Sequence, residues 1–433
     1  DRERRRNAEQ AWFEYLPADP EGMLDAQGAM PTREALFPGT RIWRGLRFGR
    51  VLDLALIDTR SERPDHLVPE DAFPGELVHT EAELREALPA LGIDPASIED
   101  SLLPLIDLDA DEHAALRPTL VALLNAAAVR EGLGDEAAMA YAQRCARGRI
   151  ALPVLAALLQ RWNASAPAAM RAQIPAAAAA HERGLCWASV GKTGLFSSVG
   201  SRYFVLQARW QALAALRAGQ ASPLSAAQRD WLLQRLQRSD AVWKTVASSI
   251  SFTPIELDLA QPELGAPPLL ARRFLLNVDH WDGFPQARRA LLDAFDAAGG
   301  AVLLSGDIHA AFATQHSARS VEITTPAVSS TTLADILASE VERDPNTAEV
   351  GRRMVEQLDA LILHGDPRVQ HARTRVHGVS LIEARMDALE VQLLCLPPEV
   401  CRSRGYEHAD ALREELQITR FRIDAATRSL RSA

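Results

Sequence analysis

Ala301-Val302-Leu303-Leu304-Ser305-Gly306-Asp307-Ile308-His309 is the stretch that decides how this chain folds. A short, continuous apolar run closed by small residues has the character of a buried strand. A carboxylate and an imidazole follow it, two positions apart. In an extended backbone residues i and i+2 share a face, so the spacing predicts Asp307 and His309 turned towards one ion. Gly306, lacking a Cβ, is the residue expected to let the chain bend. Ligands of α/β proteins gather at the carboxyl ends of strands, where this pair stands. The plainer alternative is a segment that only caps a turn, and spacing alone leaves both open.

Immediately upstream, Pro285 is placed to be the first residue of a helix that stops at Gly299-Gly300. Further back, Phe274 to Val278 and Val242 to Ala247 read as strands. Before them a helix opens at Ser225 with capping-box spacing to Gln228 and carries Trp231, Leu232, Leu233 and Leu236. Strand, helix and strand in alternation predict an α/β fold. Near the start, residues 1–16 read as a helix and 17–40 as a loop. Ile42 to Val51 alternates as an edge strand does, and Leu52 to Asp58 is continuous enough for a central strand ending in Asp58-Thr59-Arg60. Residues 61–78 are Pro-rich loop, and Thr80-Glu81-Ala82-Glu83 opens a helix through Leu88. From about 95 to 185 the chain turns Ala- and Leu-rich with almost no strand signal, and prolines cut it into short helices. This predicts a helical insertion (95–185) between two parts of one core (1–94 and 186–433). Downstream, a helix near 348–362 precedes strand-like runs at His377–Glu383, Leu389–Leu396 and Leu416–Ile423.

Other segments carry candidate chemistry. Asp279-His280-Trp281-Asp282-Gly283 packs two carboxylates, an imidazole and an indole into one loop, either lining a site or capping the next helix around a packed Trp281. Arg60 can grip a phosphate oxygen with its planar fork or form an ordinary ion pair. Lys192 and Arg202, in a glycine-rich loop over 184–203, reach a substrate from above or lie on the surface. Gly191-Lys192-Thr193 is no P-loop, because Cys186 stands where the first glycine belongs. Asp107-Leu108-Asp109-Ala110-Asp111 is no calcium loop, because Glu112 and Pro118 replace the required Gly and Glu. No Gly-x-Ser-x-Gly elbow occurs. A net charge of −10 argues against a nucleic-acid partner, and no apolar run is long enough for a transmembrane segment. Cys145, Cys186, Cys395 and Cys401 form no CxxC pair; Cys395 and Cys401 can bridge or stay as thiols.

Taken in chain order, several motifs resemble the PhoD family of alkaline phosphatases and phosphodiesterases. They are the Ala8-to-Pro17 helix, Ile42-Trp43-Arg44-Gly45-Leu46 leading to Leu56-Ile57-Asp58-Thr59-Arg60, Gln228-Arg229-Asp230-Trp231-Leu232 and Trp243-Lys244-Thr245. Asp279-His280-Trp281-Asp282-Gly283-Phe284-Pro285 and Leu304-Ser305-Gly306-Asp307-Ile308-His309 complete them. The likeness covers roughly residues 1–60 and 200–395. It implies a calcineurin-like metallophosphatase, a layered α/β/β/α sandwich of which this chain is the C-terminal portion, acting on phosphate esters with iron and calcium. It implies Asp307 and His309 as metal ligands, with His280 and Arg60 as candidates for contacting the phosphate. It also implies export to the periplasm or the medium. The family's earlier metal motifs belong ahead of the first helix. The chain opens on Asp1 inside what reads as that helix, so a missing N-terminal segment of the same protein is expected to complete the site. Two rivals remain at this stage: a metallophosphatase-like binding protein without catalysis, and another metal-dependent hydrolase on a similar fold.

Overall fold

The computed structural model describes residues 2–15, 40–176, 181–192, 194–217, 222–268, 270–342, 348–403 and 409–433. The loop expected over 17–40 lies, but for Thr40, outside them. Among the described residues the main sheet has seven strands: β1 (Arg44–Phe48), β2 (Leu52–Leu56), β3 (Trp243–Ala247), β4 (Val302–Ser305), β5 (Ala311–Gln315), β6 (Val321–Thr324) and β7 (Val369–Arg373). Their spatial order is β1-β2-β3-β4-β6-β5-β7. β2, β3, β4 and β6 run parallel, with Leu56 opposite Ala247 and Ser305 opposite Thr324. Their carboxyl ends therefore open on one edge. β1, β5 and β7 pair antiparallel to their neighbours.

Side chains alternate across these strands, and each face has its own cover. Ala55, Val246 and Leu303 pack against Leu232 and Leu236 of helix α1 (Ala226–Arg238) and Leu291, Leu292 and Phe295 of helix α2 (Pro285–Ala297). The other face presents Trp243, Val302, Ala313 and Ile323 to a second sheet. Among the described residues that sheet has four antiparallel strands, β8 (His377–Ala384), β9 (Ala388–Leu396), β10 (Gln417–Asp424) and β11 (Leu430–Ser432). Its inward side chains, Val391, Leu393, Phe421 and Ile423, close the interface. The chain is thus a layered α/β protein in which helices back one sheet and a second sheet backs the first. Three further helices, Leu333–Val341, Ala348–Glu356 and Leu358–Gly365, pack on a small sheet of Tyr203–Leu206, Arg273–Asn277 and Glu256–Asp258. The helix expected over 348–362 is the last two of these, with Gln357 between them.

The block expected to be helical does contain Arg117–Arg130, Asp135–Cys145 and Leu152–Ser165. It also contains strands, which corrects the sequence reading. Leu103–Asp107, Arg149–Ala151 and Arg183–Cys186 join Leu77–Thr80 in a four-stranded sheet. These strands are three to five residues long, and one carries Pro104, too short and too irregular to show a period of two. The capping box at Thr80 and Glu83 is present in both directions. All four cysteines are free thiols, Cys401 exposed and the others buried. Among the described residues no helix is long and apolar enough to cross a membrane.

Candidate functional site

The carboxyl ends of β2 and β4, together with the segment after Arg273–Asn277, converge on a cavity of about 430 Å³ lined by Arg60, Tyr203, Asp279, Asp307 and His309 among others. Three of the four residues singled out from sequence share this space. The fourth, His280, lies beneath it with 1 % exposure, and its Nε2 is 3.0 Å from Asp307 Oδ2. A carboxylate can only accept, so Nε2 carries the proton. Nδ1 of the same ring is buried and has no partner among the described residues. His280 thus reaches the cavity through Asp307.

The bend after β4 is made differently from the expectation. Gly306 keeps an ordinary backbone, whereas Asp307 has φ 71° and His309 φ 58°. The Ile308 N–H donates to the Gly306 carbonyl at 2.9 Å, closing a three-residue turn of the strained, positive-φ hand. Asp307 and His309 therefore come to the same cavity through a reversal of the chain and not through the alternation of a strand. Left-handed backbone costs a non-glycine residue roughly 1–2 kcal/mol, and such strain persists where surrounding contacts enforce it. Here the enforcement comes from below. Ser305 bonds Glu322 Oε1 at 2.5 Å and Thr324 Oγ1 at 3.0 Å. Glu322 is fully buried and also accepts from the Phe252 amide at 2.9 Å, with His316 Nε2 at 2.8 Å from its other oxygen. Burial pushes this carboxyl up, but the bonds from His316, Ser305 and the Phe252 amide outweigh it and hold it below its ordinary range.

Arg60 is placed by a short relay. The Asp58 carboxylate accepts the Arg60 and Ser61 amides at 2.9 and 3.0 Å. Asp58 is itself clipped by buried Gln228, which accepts from its amide at 2.6 Å and donates to its carbonyl at 2.9 Å. The guanidinium then bridges Asp279, at 3.0 Å, and Asp307, at 3.7 Å. Asp279 also receives Arg63 at 2.6 Å and faces His66 at 3.6 Å. Burial would raise the Asp279 carboxyl, yet the Arg60 bond and the charges of Arg63, Arg60 and His66 keep it below the ordinary range. The His280 bond does the same for Asp307 against its burial. His66 is pulled down by burial and by the charges of Arg202 and Arg63. Arg63 and His66 were missed from sequence. They sit in the Pro-rich segment read as loop, where no periodicity marks them.

The rest of the 278–283 loop is structural. Trp281 is fully buried and stacked on Phe252 at 4.1 Å. Asp282 does not cap α2; it accepts from the Ile255 amide at 2.9 Å and pairs with Arg288 at 2.5 Å. Lys192 neither reaches the cavity nor lies on the surface. It is 1 % exposed, and its ammonium donates to the Glu70 and Ser197 carbonyls and to Ser201 Oγ at 2.6–2.8 Å.

His309 and Asp307 bring an imidazole and a carboxylate to the same cavity. His309 Nδ1 lies 2.6 Å from the Thr331 carbonyl, which can only accept. The neutral ring therefore keeps its lone pair on Nε2, the arrangement that typically supports metal-binding histidines. Asp307 adds a carboxylate held by His280. Imidazole and carboxylate suit iron, and oxygen donors suit calcium. Among the described residues no three His, Cys, Asp or Glu side chains converge to hold an ion.

The family model described as PhoD-like phosphatase matches residues 2–88 and 191–393, more than half of the chain. The chain belongs to the PhoD-like phosphatase family. The matched segments carry all the residues just described, and the unmatched stretch 89–190 holds the three helices and most of the four-stranded sheet. No curated protein matches. A solved structure described as that of PhoD is similar with a TM-score of 0.45 and 13% identity, over 99% of this chain and 49% of the other. This PhoD-like chain thus spans about half the length of that relative.

Proposed function

We propose that the chain supplies part of a metal-dependent phosphate-ester hydrolase, with Asp307 and His309 as two metal ligands. The observation that carries this is the lock of His309 Nδ1 on the Thr331 carbonyl, which leaves Nε2 as a donor beside a carboxylate in an open cavity. Membership of a phosphatase family supplies the reaction class. A metal there, iron or calcium by the family resemblance, would polarise the phosphoryl oxygens and acidify the attacking water. The residues of this chain do the rest. Arg60 turns its fork from Asp279 and Asp307 towards a phosphate oxygen. Asp279 holds Arg60 and Arg63 in place, and His280 fixes the rotamer and charge of Asp307. Two ligands do not make a centre, so the reading calls for further ligands beyond this pair. The test is metal analysis of the purified protein together with a chromogenic phosphate-ester assay, with and without chelator. Hydrolysis that chelator abolishes, and that Asp307→Ala and His309→Ala lose together with bound metal, is the expected result. Hydrolysis indifferent to both would end the hypothesis.

A further inference from the structure

A second cavity, of about 570 Å³, adjoins the first across Val199 and Phe204, which line both. Its volume falls within the range of small-molecule sites. Its walls are largely aliphatic, with Leu103, Leu206, Leu270, Val350 and Met354 among them. The polar groups at its margin are satisfied within the protein. Arg272 pairs with Asp100 at 3.2 Å, Asp100 also takes Arg209 at 2.7 Å, and Ser189 donates to the Ser101 carbonyl at 2.7 Å. Nothing here asks for a charged ligand. Phe204, between the two cavities, has φ 52°, an outlier for a bulky residue. Strain of this kind clusters at ligand sites. Asp100, Ser101, Leu103 and Ser189 come from the stretch that the family model does not match, while Val199, Phe204 and Leu206 come from the part that it does. The insertion and the core thus build this cavity jointly.

We propose that the second cavity holds the aliphatic ester group of the substrate, an alkyl phosphate whose phosphoryl group lies in the first cavity against Arg60. The assignment rests on the hydrolase reading above and adds the substrate class to it. Hydrolysis then forms a P–O bond from water and breaks the P–O bond to the alkyl group. The alcohol leaves with a proton from that water, and its chain remains in the aliphatic cavity until release. Affinity should rise with chain length, because each methylene removed from water contributes, and the unbranched, flexible side chain of Met354 adapts to a flexible chain.

The test is calorimetric titration of the intact protein with ethyl, butyl and octyl phosphate and with octanol, all as monomers. Binding is expected to tighten roughly tenfold or more from butyl to octyl phosphate. Leu206→Glu and Val350→Trp, on separate elements, each flatten the series, with folding of both checked by their unfolding transitions. Arg60→Ala weakens every phosphate but keeps the chain-length gain. A flat wild-type series, or a gain that neither cavity variant touches, overturns the proposal. Octanol binding as tightly as octyl phosphate, with Arg60→Ala without effect, also overturns the substrate assignment, but through failure of the hydrolase reading and not of the cavity.

Discussion

At the residue scale, the site separates a side chain that faces the cavity from one that supports it. Asp307 lines the cavity, while the buried His280 ring hydrogen-bonds Asp307 from beneath. Loss of a group supporting a metal ligand typically costs about 10–100-fold in activity or metal affinity. His280→Asn is expected to fall within that range and Asp307→Asn below it. Asparagine tolerates the left-handed backbone that Asp307 adopts, so the fold should survive. Paired measurements of hydrolysis and metal content would decide, and equal losses would show that the two residues share one role. That Asp307 and His309 stand at the cavity was legible because a buried strand ends just before them. The turn that puts them there was not. Tight reversal with positive φ on two non-glycine residues leaves no mark in hydrophobic periodicity, and Gly306 drew the eye to the wrong position. His280 was legible as a residue of interest but not as buried, since loop residues carry no period from which burial can be read.

At the element scale, the segments that carry the site are tied down by close backbone approach and by buried polar hubs. A Cβ on Gly283 would sit 1.9 Å from the Val278 carbonyl oxygen. Gly283→Ala must therefore open the 278–283 turn and displace Asp279 and His280. The expected outcome is a loss of phosphate affinity together with a drop in stability of about 1–3 kcal/mol, the size common for point changes with an identified steric cause. Denaturant unfolding and calorimetry on the same variant check it, and unchanged affinity would show that the turn does not position the site. Lys192 ties the Ser197–Ser201 segment to the Glu70 carbonyl. Burial pulls its ammonium down to about 8 from the ordinary 10.5. Between those values the folded chain has released a proton that the unfolded chain still holds, so stability rises with pH across that window. Lys192→Met removes the titrating group. The difference in unfolding free energy between wild type and variant is expected to shift in favour of the wild type from pH 8 to pH 10, and parallel profiles would refute the assignment. Lys192 was invisible as a core residue because glycine-rich sequence around a lysine reads as surface loop.

At the scale of the whole molecule, the second sheet and β1 to β4 of the first were legible, and β5 to β7 were not. β8, β9 and β10 run for eight or nine residues each, long enough for alternation to show. β5 and β6 are mostly buried and carry Thr314, Glu322 and Thr324 inside; β5 shows neither a period of two nor an apolar run, and β6 alternates over only four residues, too few to mark a strand. The site depends on this hidden middle of the main sheet, since Glu322 of β6 holds Ser305 at the end of β4. The opposite edge of the same sheet offers a control. Trp243, the first residue of β3, is fully buried between the sheets; its indole donates to the Arg385 carbonyl at 2.6 Å, and the Arg428 guanidinium lies 4.5 Å from its ring centre. β3 is five residues long, so Trp243 lies roughly 13 Å from the carboxyl edge at about 3.3 Å per residue. Trp243→Ala should cost about 3–5 kcal/mol through the cavity it leaves, visible as a lower denaturation midpoint. Because distant changes act nearly independently, the affinity of the folded fraction for inorganic phosphate should stay within twofold. A larger loss of affinity would mean that the sheet interface and the phosphate cavity are mechanically coupled, and that the strain at Asp307 is maintained by the whole sandwich and not only by the polar hub beneath it.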